Sequence, residues 1–215
     1  MIKNLAQKFI SFEGIDFSGK STQIELLKTY LENHGEKVFV LREPGGTKIS
    51  ERIRTILLDN EHMHMHPRAE MLLFSAARVQ LTVEKIIPLL EKGYFVIADR
   101  FVDSTTAYQG YGRGLELDIV EHVNQFATMG LLPGITFYLE IKPEKVLQRR
   151  SQSGREEDRM EVAGLDFYNN VFNGYKKIAE KYPNRFHILN ATQVKEDIHR
   201  NIIKYISNSL SGDNQ

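Results

Sequence analysis

The sequence predicts an α/β fold, a five-stranded parallel sheet flanked by helices on both faces. Short apolar runs alternate with longer amphipathic segments along the whole chain, the pattern of strand–helix–strand units. The first run leads into Gly14-Ile15-Asp16-Phe17-Ser18-Gly19-Lys20-Ser21, which satisfies G-x-x-x-x-G-K-[ST], a phosphate-binding loop between a strand and a helix. The 215 residues suit a single domain with a sizeable core, with no linker, repeat or low-complexity stretch to divide it.

The elements follow in order. Residues 9–12 are mostly apolar and bounded by Gly14, so they read as a buried strand. Ile24, Leu27 and Leu31 then recur at helical spacing, and Gly35 supplies a left-handed stop. Residues 38–41 read as a second buried strand. It runs into Arg42-Glu43-Pro44-Gly45-Gly46-Thr47 at a strand's carboxyl end, where open α/β sheets bind ligands. A short helix over 49–58 follows. His62, His64 and His66 alternate with methionines and have no nearby cysteine or carboxylate set to make them ligands, so a solvated loop is expected there. Pro67 opens a long helix reaching about Glu91, with Pro88 bending its last turn. Phe74 and Arg78, four apart, share one face of it. Residues 94–98 form the third strand, ending at Asp99-Arg100. A short helix or turn is expected over 103–109, a loop over 111–114 and an amphipathic helix over 116–129. The fourth strand is 135–139. A helix beginning at Glu144 gives way to a polar, glycine-containing segment that reads as a short mobile lid over about 150–160. A long helix over 161–182, a fifth strand at 186–189 and a closing helix over 194–210 complete the chain. Ile198, Ile202, Ile206 and Leu210 form one stripe of that last helix, and 211–215 read as a frayed tail.

The loop residues explain themselves chemically. Polyphosphate needs many donors in a small space, and Gly14 and Gly19 let the main chain turn its N–H groups inward. The helix starting near Lys20 adds its positive end. Lys20 brings an ammonium to the outer phosphates, and the Ser21 hydroxyl can ligate magnesium. Asp99, just beyond a strand, reads as the second acid of a magnesium site, directly or through water, or as a salt-bridged strand cap.

Composition narrows the classes. Lys+Arg and Asp+Glu are 28 each, so the formal charge is zero, unlike a general nucleic-acid binder. Cysteine is absent, which excludes disulfides and thiolate metal sites. No apolar run approaches a membrane span, and the first eight residues lack a signal peptide's apolar stretch, so a soluble cytoplasmic protein is expected. A guanine-selective switch would carry N-K-x-D, which is missing. The arginine-rich segment near Arg155 favours phosphoryl transfer under a lid that excludes competing water.

Several motifs recur together. They are Phe12-Glu13-Gly14-x-Asp16, Arg42-Glu43-Pro44-Gly45-Gly46-Thr47, Leu73-Phe74-x-Ala76-x-Arg78, Asp99-Arg100, Ser104 through Gln109, and Asp158-Arg159-x-Glu161. In this set and order the chain resembles bacterial thymidylate kinases, members of the P-loop nucleoside monophosphate kinases, over nearly its full length. The resemblance implies a P-loop NTPase-like fold, magnesium, and transfer of the γ-phosphoryl of ATP to dTMP, usually by a homodimer. Gly14, Ile15, Asp16, Phe17, Ser18, Gly19, Lys20, Ser21 and Thr22 would then hold ATP.

On the acceptor side the resemblance implies that Phe74 stacks on thymine and Arg78 donates to O4, where cytosine presents a donor instead. It places Thr105 and Gln109 at the base, Glu43, Pro44 and Ser104 among the other dTMP-binding residues, Tyr108 against the sugar's 2′ position, Arg100 on the acceptor phosphate, and Asp16 near the 3′-hydroxyl and the metal. Arg42 either assists Arg100 or pairs with Glu43. Some relatives carry a catalytic arginine just after the loop aspartate. Phe17 stands there, which shifts that task to the lid: Arg155 first, Arg150 and Arg159 as alternatives. A deoxynucleoside kinase on the same scaffold and a non-catalytic nucleotide-binding regulator are the other readings of a phosphate loop in such a chain.

Overall fold

The computed structural model of the protein describes residues 5–154 and 158–211. Five strands form one sheet: β1 (Phe9–Glu13), β2 (Val38–Arg42), β3 (Phe95–Asp99), β4 (Ile135–Glu140) and β5 (Phe186–Asn190). Their order is β2-β3-β1-β4-β5 and every neighbouring pair is parallel. The helices are α1 (Lys20–Asn33), α2 (Lys48–Leu58), α3 (Pro67–Leu81), α4 (Ile87–Glu91), α5 (Val102–Thr105), α6 (Leu117–Thr128), α7 (Pro143–Ser153), α8 (Leu165–Lys181) and α9 (Lys195–Ser211).

Side chains alternate across a strand, so the sheet feeds two cores. Ile10, Phe12, Phe95 and Ile97 face one way, against Ile24 and Leu27 of α1, Val171 and Ile178 of α8, and Ile198, Ile202 and Ile206 of α9. Phe9, Val96 and Ala98 face the other, against Leu81 of α3 and Leu90 of α4. Both faces are therefore covered, as a parallel sheet requires.

Several expected boundaries move. Residues 38–41 were expected to be buried, but the strand order puts β2 at an edge, where Phe39 and Val40 stay exposed. The long helix from Pro67 is interrupted ahead of Pro88, by a π-helical turn at Thr82–Ile86. Proline clashes with the carbonyl four residues earlier, here that of Glu84, and the widened turn absorbs the conflict while Pro88 sits in the first turn of α4. A second π-helical turn, Thr106–Gly112, replaces the start of the expected loop. α8 begins at Leu165 and not near Glu161. Upstream, the Asp158 carboxylate accepts from the N–H groups of Met160 and Glu161 (2.9 and 3.1 Å), which ties 158–161 into a local turn. The expected frayed tail lies outside the described residues from 212 onward.

Candidate active site

The phosphate loop joins β1 to α1. Gly14 (φ 137°) and Gly19 (φ 98°) hold backbone that other residues adopt only under strain. A Cβ on Gly14 would come within 2.8 Å of the Leu139 carbonyl oxygen, so the loop also passes hard against β4. Phe17 sits at φ 61°, at a cost of about 1–2 kcal/mol for a non-glycine residue. Its ring packs against the core, which offsets part of that. Lys20 is buried and donates to the carbonyls of Gly14 (3.0 Å) and Ile15 (3.3 Å). Burial, helped by the Arg100 charge, holds its pKa below the usual lysine value. Of the remaining loop residues, Ile15 and Ser18 turn their side chains inward, so what they can offer polyphosphate is main chain.

Two adjoining cavities define the site. One is lined by Phe17, Gly19, Lys20 and Thr22 of the loop. The other is lined by Glu43, Pro44, Phe74, Arg78, Arg100, Ser104, Thr105, Tyr108 and Gln109. Asp16, Ser21 and Asp99 line both. The two cavities thus meet at the three residues expected at the metal, while Gly14, Ile15 and Ser18 of the loop line neither. Among the described residues the buried Asp99 Oδ1 has no hydrogen-bond partner. An unpaired carboxylate oxygen beside a serine hydroxyl fits a hard divalent cation that takes oxygen ligands.

Arg78 anchors the far wall. It is almost fully buried, yet it borders the cavity. Its Nε and Nη2 donate to Glu43 (2.8 and 2.7 Å), Nη1 to Thr105 Oγ1 (2.9 Å) and Asn124 Oδ1 (3.1 Å), and Nη2 also to the Phe101 carbonyl (3.2 Å). All five N–H groups of the guanidinium are engaged. Burial pushes the Glu43 carboxyl up, and Arg78 opposes that shift. Arg42 turns away from Glu43: it binds Glu51 (3.1 Å) and the Pro44 carbonyl (3.0 Å), so of the two roles left open for it, the pairing with Glu43 falls to Arg78. Phe74 is half-buried on the same helix face.

Arg100 follows β3 at φ 72°. Its guanidinium donates to Asp16 (2.9 Å) and Ser104 Oγ (3.3 Å) and lies over the Tyr108 ring, 5.0 Å from its centroid. Gln109 donates through Nε2 to the buried Glu70 (2.9 Å).

The lid arginines are placed differently from expectation. Arg159 donates to Glu70 (2.6 Å) and to the Leu57 carbonyl (2.7 Å). Arg150 donates to the Glu161 carbonyl (2.7 Å) and the Tyr168 hydroxyl (3.0 Å). Both are buried and neither lines either cavity, because each fastens 158–161 to the body of the protein. Arg155 lies outside the described residues.

The family profile described as Thymidylate kinase matches residues 12–202. A thymidylate kinase from Thermoanaerobacter sp. strain X514 is 47% identical over 203 residues, covering 94% of this chain and 98% of its own. One from Chlorobaculum tepidum is 49% identical over 205 residues, covering 92% and 95%. The crystal structure of thymidylate kinase from Ehrlichia chaffeensis superposes with a TM-score of 0.74 at 33% identity, over 93% of this chain and 97% of that one.

The chain belongs to the thymidylate kinase family. It is accordingly a dTMP kinase, an ATP-dependent phosphotransferase. Sequence reasoning within the thymidylate kinase pattern passed over four residues. Arg149 donates to the Phe17 carbonyl in the loop (2.9 Å) and to the Ala191 carbonyl (3.1 Å). Arg54 borders the acceptor cavity and donates to the Pro44 carbonyl (3.1 Å). Glu70 gathers Gln109, Arg113 and Arg159 around one carboxylate. Glu13 lies fully buried behind Arg100. No motif spacing marks Glu70, because its partners Gln109, Arg113 and Arg159 come from segments distant in the chain. Glu13 stood inside a quoted motif, where a carboxylate at the end of a buried strand was a readable signal.

Proposed function

We propose that the shared edge of the two cavities, at Asp16, Ser21 and Asp99, is where the γ-phosphoryl of ATP passes to the phosphate of dTMP. That shared edge is the observation that carries the reading. Main-chain N–H groups of Gly14 through Thr22 and the Lys20 ammonium hold the donor phosphates. Phe74 stacks on thymine. Arg78, held in place by Glu43 and Thr105, offers an N–H to O4 by sharing or exchanging one of its present acceptors. Gln109 and Pro44 border the base and Tyr108 the sugar. Arg100 holds the acceptor phosphate, with Ser104 and Asp16 orienting its guanidinium. An acceptor phosphate oxygen attacks the γ-phosphorus in line, the bond from phosphorus to the β–γ bridging oxygen breaks, and dTDP and ADP leave.

Magnesium bound at Ser21 and Asp99, with Asp16 adjacent, would neutralise charge on the transferring phosphoryl group. The remaining positive charge comes from Lys20, Arg100 and an arginine of the lid over about 150–160. Arg150 and Arg159 serve as ties, so this role goes to Arg155. By this reading the 215 residues form a single domain that carries both cavities. No helix among the described residues is long and apolar enough to cross a membrane, and we assign the enzyme to the cytoplasm. Leu72 of α3 and Phe126 of α6, exposed in one apolar groove, support a homodimer packed through these helices.

Initial rates with ATP and dTMP, dCMP, AMP or thymidine test the reading. Turnover should be fastest with dTMP and lost about 10³-fold in Arg155→Ala. Equal rates across acceptors would overturn the thymine readout, and a loss under about tenfold would move the arginine's task elsewhere.

A further inference from the structure

We propose that Glu13 is a positioning residue for the acceptor phosphate: its carboxylate pins the left-handed turn at Arg100 and aims the Arg100 guanidinium through Ser104. The proposal rests on the reading of Arg100 given above. Glu13 ends β1, is fully buried and borders neither cavity, so it does not touch substrate. Its Oε1 accepts from the Phe101 N–H (2.8 Å). Its Oε2 accepts from the Ser104 hydroxyl (2.6 Å) and the Tyr175 hydroxyl (2.9 Å).

These donors surround one residue. Arg100 adopts φ 72°, and such backbone persists only where its surroundings hold it. The N–H of Arg100 is fixed by the Phe12 carbonyl (2.9 Å), and that of the next residue, Phe101, by Glu13. The turn is therefore clamped from the end of β1 on both sides of its strained residue. The second oxygen reaches the other end of the same side chain. With its proton committed to Glu13, the Ser104 hydroxyl presents a lone pair to Arg100 Nη1 (3.3 Å). A neutral packing residue would accept neither set of bonds. A buried carboxylate is a costly choice unless its charge is used.

The charge also gives a specific readout. Burial, with Asp103 beside it, raises the Glu13 carboxyl to about 7, against the lowering effect of Ser104, Arg100 and the Phe101 N–H. Arg185, paired with Asp103, and Lys20 also feel it, and Tyr175 faces it from α8. Above that pH the carboxylate accepts all three bonds. Below it the added proton turns one oxygen into a donor and disturbs Ser104.

The experiment is steady-state kinetics from pH 6 to 9 on wild type, Glu13→Gln, Tyr175→Phe and Arg100→Ala, with circular dichroism on each. Glu13→Gln should lower kcat/KM for dTMP about tenfold, the loss of a charged hydrogen bond, with KM for ATP within about twofold. The wild-type fall in kcat/KM for dTMP on acidification through about 7 should shrink in Glu13→Gln to the part due to the substrate's own phosphate ionisation. A folded Glu13→Gln enzyme with wild-type dTMP kinetics, or with equal losses toward ATP and dTMP, overturns the proposal. Should Glu13→Gln not fold, Tyr175→Phe decides. A selective loss of about twofold or more toward dTMP supports the clamp, and unchanged dTMP kinetics overturn it. Arg100→Ala separates the two readings. Normal dTMP kinetics there overturn the role of Arg100 itself, whereas a crippled Arg100→Ala beside a normal Glu13→Gln overturns only that of Glu13.

Discussion

The phosphate loop and the acceptor pocket share an edge, yet they are held in shape by different interactions. The loop is main chain: two glycines at positive φ, a helix start, and a lysine folded onto two carbonyls. The acceptor pocket is a side-chain lattice. Arg78 alone joins residues from four places in the chain, at Glu43, Phe101, Thr105 and Asn124. A site made of main chain survives the loss of most side chains, because the donors remain. A buried side-chain lattice does not, since each deletion strands a partner without water. Function and stability should therefore separate at one end of the cleft and move together at the other.

The sharpest way to break that contrast is Lys20→Ala. Turnover should fall about 10³-fold, the scale for removing a charged group from a phosphoryl-transfer site, while the melting temperature stays near wild type. A large drop in melting temperature would show that the loop depends on its lysine after all. Arg78→Met comes next. It leaves the Glu43 carboxylate buried and unpaired, so denaturant unfolding should register a loss of about 3–5 kcal/mol. The double variant Glu43→Leu/Arg78→Met should regain most of that loss and none of the preference for dTMP over dCMP, because an apolar pair replaces a buried ion pair at little cost. The smallest effect is expected from Phe74→Leu. The ring is only half-buried, so the stability change should be modest, and KM for dTMP should rise up to about tenfold with the lost stacking. Equal rises for ATP and dTMP would mean that Phe74 serves the core and not the base.

The same contrast explains what the sequence disclosed. The loop is local: Gly14, Gly19, Lys20 and Ser21 lie within one turn of chain, so spacing alone identified it and the strand–helix context around it. All five strands and the two-sided helix cover were equally local, being periodicity. The acceptor residues came only through resemblance, since nothing in their spacing says that Arg78 meets Glu43 or that Gln109 meets Glu70. The lid is a related case. A run of charge near a glycine reads as a mobile lid, but Arg159 finds Glu70 across 89 residues of chain, and no local pattern contains that partner. Edge and centre strands were likewise indistinguishable, because the residues 38–41 are as apolar as a central strand while the sheet order leaves them at its border.

Phe126 on α6 leaves 83% of its surface in solvent. The formal charges of the chain cancel, so at neutral pH no long-range repulsion keeps copies apart. Together these favour a second copy settling over Phe126, the seam proposed above, so a Phe126→Glu change should shift the protein toward a single chain in size-exclusion chromatography.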